Sequence, residues 1–170
     1  AIVLTSNMKG EIITGIENEL QIAAEQVKQF FTAELKEKGT VDYNAYADHE
    51  YIESLQGHGV ELTLFQGDTR LITSLKKDDG TYNEGTAASP EIYATVHSGK
   101  DYHGQNVIIA GHPYYVYYCP VYDGQGSFWG MSFAGIREER VTSAVTSAIV
   151  KVVIIAVVMV AIFVVLIFFI

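Results

Sequence analysis

The sequence predicts an α+β domain with an antiparallel sheet, followed by a transmembrane helix. Three observations carry that prediction. Residues 12–35 repeat apolar side chains at helical spacing. Residues 60–136 change to short β-branched and aromatic runs punctuated by Gly, Asp and Pro. Residues 152–170 hold no charged residue at all. Helices first and strands in runs afterwards indicate α+β, because alternating α/β chains interleave the two.

The first element is a long helix over residues 6–38. Ile12, Ile13, Ile16, Leu20, Ala23, Ala24, Val27, Phe30, Phe31 and Leu35 form its apolar stripe. Glu11, Glu17, Glu19, Glu25, Lys28, Glu34 and Lys36 lie between them, and Gly39 closes the helix. Thr5, Ser6 and Asn7 offer N-caps, although the helix is equally able to run out of a preceding apolar segment, of which residues 1–5 read as the tail. A short second helix is expected over residues 48–56. Residues 60–65 and 70–75 read as a hairpin turning at Gly67-Asp68, and residues 76–85 as a polar loop. Ser89-Pro90-Glu91 is a helix start, with a capping hydroxyl, Pro in the first turn and an acid beside it. That helix ends at Gly99. Strands follow at 105–110, 114–122 and 128–136, separated by Gly111-His112-Pro113 and by Asp123-Gly124-Gln125-Gly126. The last two are apolar on both parities, as a strand covered on both faces must be.

Composition limits what such a domain does. All 20 acidic residues lie before residue 140, and the net charge is −9. That balance excludes nucleic acid as a partner and disfavours flat docking on anionic lipid. The single Cys119 sits in an apolar strand and reads as a core residue. No catalytic constellation, dinucleotide loop or Cys pair is present, so no enzyme activity, cofactor or metal is expected. His97, His103 and His112 lack the spacing of a helical metal pair. Residues 144–170 form the membrane helix, long enough at about 1.5 Å per residue to cross a core about 30 Å thick. The bilayer is therefore an expected partner.

Three groups of residues together resemble single Cache sensor domains. They are Leu64-Phe65-Gln66-Gly67-Asp68-Thr69-Arg70-Leu71-Ile72-Thr73-Ser74, then Gly85-Thr86 with the Ser89-Pro90 helix, and finally the run from Tyr114 to Gly124 with Gly130-Met131-Ser132-Phe133-Ala134-Gly135. The resemblance covers residues 6–137. It implies a PAS-like five-stranded antiparallel sheet on a long N-terminal helix. It also implies an extracytoplasmic ligand sensor of a bacterial chemoreceptor in the cell membrane, or of a histidine kinase or cyclic-dinucleotide enzyme. The domain, residues 6–140, would signal through its membrane helix and dimerise through the long N-terminal one.

The ligand site is expected on the sheet face away from the long helix, under residues 76–100. Tyr114 and Tyr118 share one strand face, and Tyr115 and Tyr117 the other; the sequence does not say which pair faces the pocket. The candidate contacts are Arg70, Thr73, Tyr102, His112, Tyr115, Tyr117 and Trp129, with His112 the preferred donor. Between Glu61 and Ile136 the cations are Arg70, Lys76, Lys77 and Lys100, too few for a polyanion. A small monocarboxylate such as acetate, lactate or pyruvate fits, and so does a neutral nucleobase stacked on Tyr or Trp129. The competing reading is an anchored interaction domain whose pocket is filled by its own side chains.

Overall fold

A computed structural model of the chain describes residues 2–57 and 59–169. Ala1, His58 and Ile170 lie outside them; the sequence reading placed these in the tail of a first apolar segment, the polar stretch before the sheet and the end of the membrane helix. The elements are α1 (Ile2–Lys38), a 3-10 turn (Tyr43–Tyr46), α2 (Glu50–Ser54), β1 (Glu61–Gln66), β2 (Thr69–Thr73), α3 (Pro90–His97), β3 (Tyr102–Ile109), β4 (His112–Tyr122), β5 (Phe128–Arg137) and α4 (Glu138–Phe169).

Helix α1 runs through residues 5–7, so it does not begin there. It ends where Gly39 adopts a left-handed φ of 74° and donates its N–H to the Leu35 carbonyl. Asp42 caps the 3-10 turn by accepting from the Asn44 N–H. Ser89 caps α3 by accepting from Ile92, with Pro90 first in the helix.

The five strands form one antiparallel sheet in the order β2-β1-β5-β4-β3. After β2 the chain crosses by way of α3 to the far edge, then returns through β4 to the centre. Ala110 and Gly111, both at positive φ, make the two-residue turn between β3 and β4, so His112 and Pro113 already belong to β4. A Cβ at Gly130 would overlap the Phe65 carbonyl oxygen, and only glycine lets β5 lie this close to β1 there.

The two sheet faces carry separate cores. On one, Leu20, Ala24, Val27, Phe31 and Leu35 of α1 pack on Leu62, Leu64, Ile72, Cys119, Val121 and Ala134. On the other, Phe65, Tyr114, Val116, Tyr118, Met131 and Phe133 pack under Ile92 and Val96 of α3 and under Leu75. Both β4 and β5 are therefore buried on both sides, as their lack of apolar alternation requires. Burial of this kind is worth about 1.5–3 kcal/mol per large side chain. α4 continues β5 without an intervening residue, and it is long and apolar enough to cross a membrane.

Candidate functional site

A cavity of about 230 Å³ opens on the face opposite α1. That is the volume of roughly seven or eight waters in the liquid, so it suits a small guest. Tyr118 from the sheet, Ile108 and Ile109 from β3, Ala110 from the turn, and Asn83 with residues 86–89 enclose it, with Arg70 of β2.

Arg70 reaches this face because of a β-bulge. Leu64 pairs with Ile72, yet Phe65 pairs with Arg70, which leaves Leu71 as the extra residue. Strict alternation would put Arg70 on the α1 side with Ile72. The bulge reverses it, and Leu71 joins Ile72 in the α1 core. The outer edge of β2 is covered by the segment that forms the cavity wall. Arg70 N–H donates to the Thr86 carbonyl, Gly85 N–H donates to the Arg70 carbonyl, and Thr69 pairs with Ala87.

The Arg70 side chain is 4 % exposed. Nη1 donates to Thr86 Oγ1 at 2.6 Å, and Thr86 Oγ1 donates in turn to the Asn83 carbonyl at 2.9 Å. The guanidinium carbon lies 4.8 Å from the Phe65 ring centroid and 5.8 Å from that of Phe133. Nε has no hydrogen-bond partner. Among the described residues no carboxylate pairs with Arg70. Loss of hydration pushes its pKa down, partly offset by Tyr118 and Tyr114 nearby. Burial pushes the Tyr118 hydroxyl up to about 12, with Arg70 opposing. Tyr118 thus stays a neutral hydroxyl beside a buried cation. Together they make a wall that attracts negative charge and offers O–H and N–H donors to it.

Of the seven expected contacts, Arg70 lines this cavity. Tyr102 is on the same face but behind Tyr118, edge-on to its ring at 6.2 Å. Thr73 is buried, and its hydroxyl is engaged by Thr63 at 2.6 Å and by the Leu75 N–H. His112 sits outside the cavity with Nε2 on Asp78 at 2.8 Å. Tyr115, Tyr117 and Trp129 pack against the α1-side core, on the other side of the sheet. Strand parity separates them, since Tyr114 and Tyr118 are the pair that faces away from α1. The Tyr117 hydroxyl donates to Asp101 at 2.9 Å. Asn83, Thr86, Ser89 and Tyr118 line the cavity and were not among the expected contacts. Of these, Tyr118 carried a sequence signal, its parity with Tyr114, and the Gly85-Thr86 motif marked the wall.

Cys119 is fully buried in the α1-side core, and its thiol is pushed up to about 12 by loss of hydration first. It has the environment of an unreactive core thiol. Among the described residues, no three His, Cys, Asp or Glu side chains converge as a metal site would require.

No curated protein matches the chain. Among solved structures it is similar to the sensor domain of the V. cholerae histidine kinase DctB. The TM-score is 0.53 at 13 % identity, over 81 % of this chain and 55 % of that one. It is also similar to the ligand-binding domain of the Pseudomonas aeruginosa amino acid chemoreceptor PctC, solved in complex with GABA. There the TM-score is 0.47 at 14 % identity, over 84 % of this chain and 59 % of that one. The chain thus spans little more than half the length of either, and the likeness to DctB is one of fold. The model of single Cache domain 3 matches residues 42–148. Cache domains are extracytoplasmic ligand-binding modules, not catalytic ones. With more than half of its length matched, this chain belongs to the single Cache domain 3 family.

Proposed function

We propose that this chain is the extracytoplasmic sensor of a bacterial transmembrane receptor, and that it binds a small monocarboxylate in the cavity beside Arg70. The observation that carries the reading is a buried guanidinium, on a residue that lines a cavity, with no carboxylate partner among the described residues. A buried cation is costly unless something anionic offsets it. One cation, several polar groups and an apolar side formed by Ile108, Ile109, Ala87, Ala88 and Ala110 suit one carboxylate with a short carbon tail. α4 is the anchor in this reading, and residues 137–140 carry the signal into it. A homodimer through α1 is part of the same reading. Chemoreceptor and histidine kinase outputs both suit the fold, which is shared with a kinase sensor domain.

The test is a thermal-shift screen of the full chain in nanodiscs against acetate, lactate, pyruvate, amino acids and nucleobases. A ligand at a hundred times its Kd stabilises by about 2.7 kcal/mol. The expected result is a rise with monocarboxylates that Arg70→Met abolishes and His112→Ala leaves intact. A rise with nucleobases alone transfers the site to a neutral guest. No rise in folded protein stripped of carried-over ligand favours the interaction-domain reading.

A further inference from the structure

The cavity cation is joined to α1 by a continuous series of contacts that the sensor reading leaves unused. From Arg70 the series passes through Thr86 Oγ1 to the Asn83 carbonyl, as described. The two neighbours of Asn83 point the other way, toward α2. The Tyr82 ring lies flat on the His49 imidazole, with centroids 3.5 Å apart and planes 3° from parallel. Its hydroxyl donates to Glu53 at 2.6 Å, and the Lys76 ammonium is 4.7 Å from its ring centroid. The Glu84 carboxylate meets His49 Nε2 at 2.7 Å and accepts from the Tyr43 hydroxyl at 2.9 Å. His49 holds a left-handed φ of 62°, unfavourable for a residue with a Cβ; its two side-chain contacts help fix it there.

The receiving segment is in turn fastened to α1. Tyr46 donates to Glu34 of α1 at 2.6 Å, and Tyr51 of α2 stacks on Phe30 of α1 with centroids 4.2 Å apart. Glu34 as a residue is 6 % exposed, so this bond is largely shielded from water.

We propose that residues 82–84 are a clasp that couples the cavity to α1, so that the domain drives its N-terminal helix as well as α4. The inference rests on the cavity being the ligand site. Its physical basis is one rigid guanidinium shared between two acceptors. A carboxylate drawn to it from the cavity shifts the planar group, and the Nη1 bond to Thr86 Oγ1, with the Asn83 carbonyl beyond it, must adjust. Asn83 is one peptide unit from both clasp residues, so adjustment there changes the strain on Tyr82 and Glu84. A ligand moves the clasp to the extent that it binds the two arrangements unequally.

The test needs no ligand, so its outcome is separate from that of the binding screen. Amide hydrogen exchange is measured by mass spectrometry on the full chain in nanodiscs, comparing the wild type with Thr86→Val, Tyr82→Phe and the double variant. Thr86→Val removes the cavity end of the series, and Tyr82→Phe removes the Glu53 bond while keeping the ring stack. The expected result for Thr86→Val is exchange faster by up to about tenfold across residues 43–54, as loss of one hydrogen bond gives. In the double variant Tyr82→Phe should add less than it does alone, because the two act on one unit. Faster exchange confined to residues 81–89, or fully additive effects in residues 43–54, would overturn the clasp.

Discussion

Arg70 has opposite effects on binding and on stability. Its guanidinium is held out of water by Phe65, Phe133 and Tyr118, with Thr86 as its side-chain acceptor. Arg70→Met is therefore expected to weaken monocarboxylate binding by at least about tenfold, the scale of one charge-assisted hydrogen bond, without lowering the thermal midpoint. Calorimetric titration and a melt on the same sample check both arms. Glu61 makes a pH-dependent contribution. Burial first raises its pKa, against lowering by Ser74, Arg140, Arg137 and Gln56. The folded state then holds its proton to a higher pH than the unfolded state does. Its contribution to stability falls as pH climbs from the ordinary carboxylate range through the raised value. Glu61→Gln is expected to flatten that decline in midpoints measured across mildly acidic pH. Arg70 was one candidate contact in the sequence, as one of few cations, with pairing to Asp68 or the loop the favoured reading there. Its neighbours Asn83 and Thr86 were missed, because loop residues far along the chain give no periodic signal of what they face.

The order and type of the elements follow from sequence pattern. Ser89-Pro90, the Gly67-Asp68 turn and the change of period after residue 59 each have one physical reading, and the structure has α3, the β1–β2 turn and the sheet at those places. The split of the tyrosines by parity is also present, since β4 alternates regularly from Tyr114 to Cys119. Which tyrosine pair faces the cavity did not follow, because both faces of β4 are apolar and aromatic. Nor did the bulge in β2. An extra Leu in a strand looks like any other apolar residue until its partner strand is known. Deleting Leu71 is expected to leave Arg70 opposite Phe65 in a regular ladder. Binding should then stay within a few-fold of wild type, while stability falls by about 1 kcal/mol for the lost burial. Titration and melting of that deletion variant separate the two outcomes.

At the scale of the molecule, the region over the cavity is tied at several points. Asp78 meets His112 at 2.8 Å, and Arg137 donates to the Tyr114 hydroxyl at 3.0 Å beside the root of α4. The Arg140 guanidinium lies against Gly59, where an added Cβ would overlap it. Gly59 also has a φ of 83°, so Gly59→Ala is expected to cost more than about 1 kcal/mol, read from the melting midpoint. These contacts surround the point where β5 becomes α4 with no residue between Arg137 and Glu138. Such a joint transmits angle as well as position. Over the 32 residues of α4, a tilt of 5° at the joint would displace the far end by about 4 Å, at about 1.5 Å of rise per residue. The joint also sets the azimuth of every downstream side chain. One residue inserted there would turn the whole helix by about 100°, whereas seven would return it nearly to its starting phase.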